Sequence, residues 1–294
     1  MGRVFSGTAL AAALAVLCLL GGVAVFLLSE GLPALTAGAS ELPGGKSFVD
    51  YAAPLAFGTV LAAAIAALVA VPLAVAVALF ITHVAPPRLA LTLGYLVDLL
   101  AAIPSIVYGL WGIFVLGPAA VPAMEWLQAR LGFLPFFEGP ASATGRTMLV
   151  AGLVLAVMIL PIVSAVAREA FAQAPRRLQE GAQALGATRW ETIRMSVLPF
   201  GRSSVISGAM LGLGRALGET MAVTIILSVS GAVSFNLISQ ANPSTIAANI
   251  ALDFPESSGL AINALIATGL VLFAITMATN MAARAIIGRQ AGAR

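Results

Sequence analysis

Charged residues are scarce in this chain: Asp, Glu, Lys and Arg make up 9% of its 294 residues, whereas hydrophobic residues make up 60%. Its mean hydropathy of +1.03 is far above the range of soluble domains. The polar intervals are all shorter than about 40 residues, whereas a domain usually needs at least about 50. These shortages exclude a soluble protein and predict an integral membrane protein without a separate globular domain.

Cysteine and histidine are nearly absent too, with one residue of each. Cys18 lies in the first apolar run, so a disulfide framework and a thiolate metal site are excluded. His83 is interpreted as a surface residue near the lipid headgroups. A membrane enzyme would need a cluster of His, Asp or Glu near one interface, so we expect no catalytic residue, no metal and no cofactor.

A nucleotide-binding loop is also missing. The segment Pro43–Ser47 superficially resembles the end of a phosphate-binding loop, but Ser40 stands where that pattern requires glycine. We therefore expect no ATPase site on this chain.

Apolar runs of about 20 residues, the length needed to cross a bilayer, are what the sequence has in abundance. They predict an all-α, polytopic membrane protein with six transmembrane helices, near residues 9–29, 55–81, 90–117, 147–167, 205–230 and 259–283. The first run resembles a secretory signal with a cleavage pattern at 37–39, but its length favours a retained span. External loops are predicted over 118–146 and 231–258, the second with a short apolar helix. The expected divisions are an N-terminal helix and external loop (1–54), a transmembrane core (55–285) and a cytoplasmic tail (286–294).

Basic residues divide unevenly between the two sides that six spans define. With the N-terminus inside, the outer side has Lys46, Arg130 and Arg146. The cytoplasmic side has Arg3, Arg88, Arg168, Arg176, Arg177, Arg189, Arg194, Arg202, Arg284, Arg289 and Arg294. The positive-inside rule therefore predicts that both termini are cytoplasmic. This distribution explains the net charge of +3 without a nucleic-acid partner.

A polar stretch, Arg168–Arg202, separates two of the apolar runs and predicts a helical hairpin. Pro175 suits a first helical turn, and Gly186 is expected to end the first helix. The apolar stripe of that helix consists of Leu178, Ala182 and Leu185. Thr188–Glu191 has the capping-box pattern that begins a second helix, which we expect to end at Pro199.

The third predicted span contains proline and glycine within the segment Ala102–Leu110. Pro104 frees backbone carbonyls and kinks a helix, which suits either a bent packing helix or the lining of a transport pathway. Asp98, early in the same span, is a candidate residue of the substrate pathway because ionisable groups are costly in a bilayer. Alternatively, Asp98 belongs to a short interfacial helix that precedes the span.

The fifth predicted span carries the most informative charges. Its glycines permit close helix packing: Gly208, Gly212, Gly214 and Gly218. Arg215 and Glu219 continue the stripe of the first two glycines, at i+7 and i+11. Either the two charges neutralise one another and stabilise helix packing, or they face a central pathway. In the pathway hypothesis, Arg215 binds a tetrahedral oxyanion and Glu219 accepts a hydrogen bond from protonated phosphate, which sulfate cannot donate.

Two sets of residues resemble known families. Glu180-Gly181-Ala182, then Gly186 and Leu198-Pro199, resemble the EAA motif of ABC importer permeases, with Gly181 in place of the usual alanine and Ser196 in place of a common isoleucine. The segments Ala102–Leu110 and Gly214–Ala222 resemble the phosphate-specific permeases, and Met221-Ala222 is similar to the PstC-like subunit.

The resemblance implies a type I ABC importer permease fold in the bacterial inner membrane. It implies that the EAA segment docks on a PstB-like ATPase dimer, that a PstA-like permease completes a heterodimer, and that a PstS-like phosphate-binding protein delivers phosphate outside. It also implies that Arg215 and Glu219 are needed for transport by alternating access. A permease for molybdate, sulfate or phosphonate and a transporter without an ATPase are the alternatives.

Overall fold

Helices account for nearly all of the computed structural model, which describes residues 2–291 apart from the side chains of residues 2–4, 43 and 289–291. No strand forms within residues 2–291, and the all-α prediction is confirmed. Of the predicted cytoplasmic charges, the side chains of Arg3 and Arg289 and the whole of Arg294 lie outside the described residues. The helices are α1 (Gly2–Thr36), α2 (Phe48–Leu79), α3 (Pro87–Ala101), α4 (Ser105–Trp111), α5 (Gly117–Leu131), α6 (Met148–Ala172), α7 (Arg176–Ala184), α8 (Arg189–Thr192), α9 (Leu198–Leu217), α10 (Met221–Ile226), α11 (Ile246–Asp253) and α12 (Leu260–Ala291).

Five helical segments of the described chain are long and apolar enough to cross a membrane. They are Phe5–Thr36, Phe48–Val84, Ser105–Leu131, Met148–Ala172 and Leu260–Gly288. The first, second, fourth and sixth predicted spans coincide with helices of this set. The third and fifth predicted spans are built differently from the prediction.

The third span begins later than predicted. Residues 90–117 are not one helix, because α3 ends at Ala101 and Pro104 caps the start of α4. A residue that precedes proline disfavours helical angles, which explains a break at this position. The span then continues from α4 through a π-helical turn, Gly112–Leu116, into α5. The predicted external loop 118–146 is consequently wrong over its first half, since Pro118 lies in the first turn of α5, where proline needs no backbone donor.

The fifth span is divided by its glycines. Instead of one helix over 205–230, α9 ends at Leu217 with Gly218 as its C-cap, and the short α10 begins at Met221. Glycine disfavours helix continuation, so a break at Gly218 is physically reasonable. Pro199 does not end the preceding helix as predicted, because a π-helical turn, Ile193–Val197, joins α8 to α9 and proline then falls in the first turn of α9.

The core forms where α2 and α9 pack on α6. Alanines at every fourth position of α2 are at most 1% exposed and give this helix a smooth buried face: Ala62, Ala66, Ala70, Ala74 and Ala78. Gly152 of α6 lies so close to Ile65 of α2 that a Cβ added at Gly152 would lie 2.5 Å from Ile65 Cγ2. This small-residue packing holds the helices at short distance and leaves α1 paired with α12 at the periphery.

Candidate functional site

The two segments that resemble phosphate-specific permeases lie against each other in the fold. Gly109 of α4 contacts α10, and a Cβ at this position would lie 2.9 Å from Ala222 Cα. One turn further, a Cβ at Gly112 would lie 2.7 Å from Ile226 Cδ1. The approach at Gly109 is to backbone, which cannot move aside, so glycine is required there, whereas the atoms next to Gly112 belong to side chains. We call this helix contact the α4–α10 junction.

Tyr108 connects the junction to the helix before it. Its ring is 5% exposed, and its hydroxyl donates a hydrogen bond to the Leu100 carbonyl at 2.7 Å. This bond spans the break between α3 and α4.

The predicted stripe through the fifth span is interrupted at the helix break. Arg215 lies on α9, whereas Glu219 lies beyond its end. Within residues 2–291, Arg215 forms no ion pair or hydrogen bond through its guanidinium, and the neutralising pair with Glu219, one of the two alternatives left by the sequence, is absent. The Glu219 side chain is 8% exposed, and its Oε1 accepts a hydrogen bond from the Ala222 backbone N–H at 3.1 Å. Its carboxylate therefore caps the start of α10.

The glycines of this segment divide into two groups. Gly208 and Gly212 pack on α6, where an added Cβ would lie 3.0 Å from Val166 Cβ and 3.0 Å from Val163 Cγ2 respectively. These positions agree with the packing role predicted for Gly208 and Gly212. The same role stays a prediction for Gly214 and Gly218, where an added Cβ would meet no neighbouring helix of the described residues. They lie at the open end of α9, where Gly218 serves as the C-cap.

Arg146 secures the other end of α10, a role that the sequence analysis missed. Its Nε donates to the Ile226 carbonyl at 3.4 Å, and its Nη2 donates to the carbonyls of Ile225 at 3.5 Å and Leu227 at 3.3 Å. A carboxylate at the N-terminus and a guanidinium at the C-terminus complement the unsatisfied backbone groups of a short helix. From the sequence, Arg146 was interpreted only as a charge on the outer side of the membrane.

Asn242 holds the segment after α10 to the start of α6. Its side chain is fully buried, with Nδ2 donating to the carbonyls of Arg146 at 3.0 Å and Ser228 at 3.2 Å. Its Oδ1 accepts from the Met148 backbone N–H at 2.9 Å. One amide thus connects the start of α6, more than ninety residues away in the chain, to the segment after α10.

Asp98 lies on α3, the separate helix before the span, and forms an ion pair with Arg168 of α6. The sequence placed Asp98 either in the third span or on a short helix before it, and the structure shows the second arrangement. The Asp98 side chain is 54% exposed and that of Arg168 is 17% exposed.

The polar stretch Arg168–Arg202 contains the two helices predicted for it, and we call its segment between α6 and α9, residues 173–197, the polar hairpin. The capping box of Thr188 and Glu191 forms, and these hydrogen bonds lower the pKa of Glu191. Gly186 adopts a φ of 88° just after α7, as expected for a helix-ending glycine. Pro175 is the N-cap immediately before α7 rather than part of its first turn.

The apolar side chains of the polar hairpin are exposed. Leu178 of α7 and Leu185, the C-cap of this helix, are 55% and 91% exposed, and Trp190 of α8 is 60% exposed. The hairpin has two arms, α7 and the segment from α8 through the π-helical turn Ile193–Val197. Ser196 Oγ donates to the Leu178 carbonyl at 3.4 Å and joins these two arms. The hairpin therefore presents an apolar surface beyond the core of the chain.

Replacing Gly109 with alanine is expected to lower the free energy of unfolding by about 1–3 kcal/mol, the usual cost of overpacking a tight contact. The added Cβ would collide with α10 backbone, which cannot rotate away. The measurement is the midpoint of thermal unfolding of the purified protein in detergent.

Gly181→Ala is the matched control, because its Cβ meets nothing within 4 Å. Alanine should raise helix stability there by about 0.8–1 kcal/mol. Equal unfolding midpoints for Gly109→Ala and the wild type would contradict the close contact at the junction.

Comparison with known proteins places these features in a family. Residues 84–290 match the family described as binding-protein-dependent transport system inner membrane component. Phosphate transport system permease protein PstC 2 of Mycobacterium tuberculosis is 45% identical over 298 residues, which cover 97% of this chain and 91% of that protein. PstC of Mycobacterium leprae is 48% identical, with 90% and 86% covered, and PstC of Mesorhizobium japonicum is 40% identical, with 97% and 90% covered.

Among solved structures, a chain of the inward-facing MetNI methionine ABC transporter superimposes with a TM-score of 0.53. The alignment covers 81% of this chain and 95% of that chain at 15% identity. At this identity the likeness concerns the fold alone, and it agrees with the predicted importer permease fold.

Proposed function

We propose that this chain, which belongs to the binding-protein-dependent transport system inner membrane components, is the membrane subunit of an ABC importer of inorganic phosphate. Within that family it belongs to the phosphate transport permeases named PstC. Phosphate moves through this subunit across the bacterial inner membrane. The observation that carries the proposal is identity of 40% to 48% with proteins of that name over at least 90% of this chain. The chain itself performs no bond chemistry.

The partners follow from the same proposal. ATP is hydrolysed on a separate PstB-like ATPase dimer, and the exposed apolar surface of the polar hairpin supports docking of that dimer. A PstA-like permease completes the transmembrane core. A PstS-like protein delivers phosphate at the outer side. The uneven division of basic residues supports cytoplasmic termini and a cytoplasmic hairpin.

Arg215 is the residue that we propose to bind phosphate during alternating access. It is partly buried, it is charged, and no carboxylate of residues 2–291 neutralises it. A guanidinium of this kind suits a tetrahedral oxyanion through paired, charge-assisted hydrogen bonds. Glu219, close in sequence and buried, is proposed to favour the protonated form of phosphate. The alternatives of another oxyanion and of an ATPase-independent transporter are not favoured by the relatives.

Uptake of radiolabelled phosphate by the four-component complex in lipid vesicles tests the proposal. We expect accumulation that requires both ATP and the phosphate-loaded binding protein. Excess unlabelled sulfate or molybdate should leave the rate unchanged, whereas unlabelled phosphate should compete. Uptake at the same rate without ATP, or equal competition by sulfate, would contradict the proposal.

Glu219→Gln should weaken the exclusion of sulfate while phosphate uptake continues. The glutamine oxygen can still accept the Ala222 N–H bond, so this variant removes the charge and keeps the cap of α10. Repulsion of a fully ionised anion disappears with the charge. Competition by sulfate against labelled phosphate is the measurement, and Glu219→Ala, which loses both charge and cap, is the comparison. Sulfate exclusion equal to that of the wild type would refute the selectivity role.

A further inference from the structure

An ion pair connects α3 to α6 and is the one such pair among the residues whose side chains the structure describes. Arg168 donates through Nη2 to the Asp98 carboxylate. Gly94 of α3 makes room for the guanidinium, because a Cβ there would lie 2.8 Å from Arg168 Nη1. The Arg168 Nε is buried and has no hydrogen-bond partner within the described chain. The guanidinium is therefore enclosed between the helices and depends on Asp98 for its charge partner.

The pair lies near the end of α6 that leads into the polar hairpin. Phe171 is 1% exposed and belongs to a buried cluster that includes Ile193 and Val197, which follow α8. On the first arm, Gln179 Nε2 donates to the Ala174 carbonyl at 3.2 Å. Both arms are thus attached to the end of α6, and a displacement of the hairpin displaces this end with it.

The far end of α3 reaches the α4–α10 junction. Leu100, two residues after Asp98, accepts the Tyr108 hydroxyl bond at 2.7 Å. Tyr108 precedes Gly109, which lies directly against Ala222. A continuous series of contacts therefore runs from the polar hairpin through α6 and α3 to the segment that contains Arg215.

We propose that Asp98 and Arg168 are positioning residues that transmit movement of the polar hairpin to the α4–α10 junction. The inference rests on the proposed function, and it assigns Asp98 to coupling rather than to contact with phosphate. Few buried residues hold α3 otherwise, since Gly94 and Val97 are its buried positions. Without the ion pair, α6 moves without carrying α3, and ATP hydrolysis proceeds with less transport.

Charge reversal tests the pair in the complete transporter. The variants are Asp98→Arg, Arg168→Asp and the double exchange, with the isosteric Asp98→Asn beside them. Each single variant should lower phosphate transported per ATP hydrolysed by about tenfold, in the range of coupling between contacting residues. The double exchange should recover most of this loss, and Asp98→Glu should keep near wild-type coupling. The KM for the phosphate-loaded binding protein should remain unchanged.

Arg88→Gln is the control, because Arg88 is an exposed charge on the same helix and no ion pair of the described residues involves it. Unchanged transport per ATP in Asp98→Asn would overturn the inference, as would a raised KM for phosphate delivery at unchanged coupling. If a charge-reversed variant fails to assemble, Asp98→Asn and Asp98→Glu decide the matter on assembled complexes. Failure of the wild-type complex to take up phosphate would instead refute the proposed function.

Discussion

Arg215→Ala should reduce ATP-dependent phosphate uptake by about a hundredfold or more, since each charge-assisted hydrogen bond contributes about 1.5–3 kcal/mol and a guanidinium forms two to a phosphate. The structure gives two reasons for so large an effect. The side chain is partly buried beside the break between α9 and α10, and within residues 2–291 it has no carboxylate partner. Removing it therefore removes an available anion ligand without leaving a buried carboxylate unpaired. Initial rates of labelled phosphate uptake into vesicles are the measurement.

Two further variants separate the function of Arg215 from its charge alone. Arg215→Lys keeps the charge but loses the planar, two-pronged donor, so intermediate uptake is expected. Arg284→Ala removes an exposed arginine from α12 and should leave uptake unchanged. Assembly of every variant is checked by size-exclusion chromatography. Retention of more than about half of the wild-type rate by Arg215→Ala would exclude it as the phosphate-binding residue.

Leu185→Glu should prevent docking of the ATPase dimer and abolish transport. Leu185 is 91% exposed in the chain alone, so the substitution leaves the fold of this subunit intact. A carboxylate buried without a partner in an interface costs several kcal/mol, and binding should weaken by about a hundredfold or more. Co-purification of the ATPase with the permease pair, followed by ATPase activity of the complex, measures the effect.

Gln183→Glu is the matched control for Leu185→Glu. It adds the same charge to an exposed position of α7 that lies off the apolar stripe. Docking and uptake should then stay near the wild-type level. Normal recovery of the ATPase with Leu185→Glu would mean that the apolar stripe of the polar hairpin is not the docking surface.

Local sequence patterns predicted the polar hairpin well. The capping box at Thr188 and the end of the first helix just before Gly186, which has a φ of 88°, agree with the expectation. Each of these depends on interactions within a few residues, which a sequence pattern reports directly. The prediction that the second helix ends at Pro199 was wrong because a π-helical turn precedes this proline. No simple periodicity in the sequence predicts such a turn.

The stripe through Arg215 and Glu219 shows the opposite case. Helical periodicity placed both residues on one face, but the helix ends between them and Glu219 caps the next helix. The roles of Arg146 and Asn242 depend on partners about eighty or more residues away in the chain. No local pattern contains that information.

The sequence by itself determined that this is a helical membrane protein with a polar helical hairpin and a candidate anion-binding arginine, because hydropathy, helix capping and local motifs are short-range properties. Tertiary structure alone decided that Ala102–Leu110 lies against Gly214–Ala222 and that Asp98 pairs with Arg168. It also decided that α10 is held at both ends by charged side chains. These arrangements arise from packing between helices that are far apart in the chain, where glycine permits close approach and a charge needs a partner.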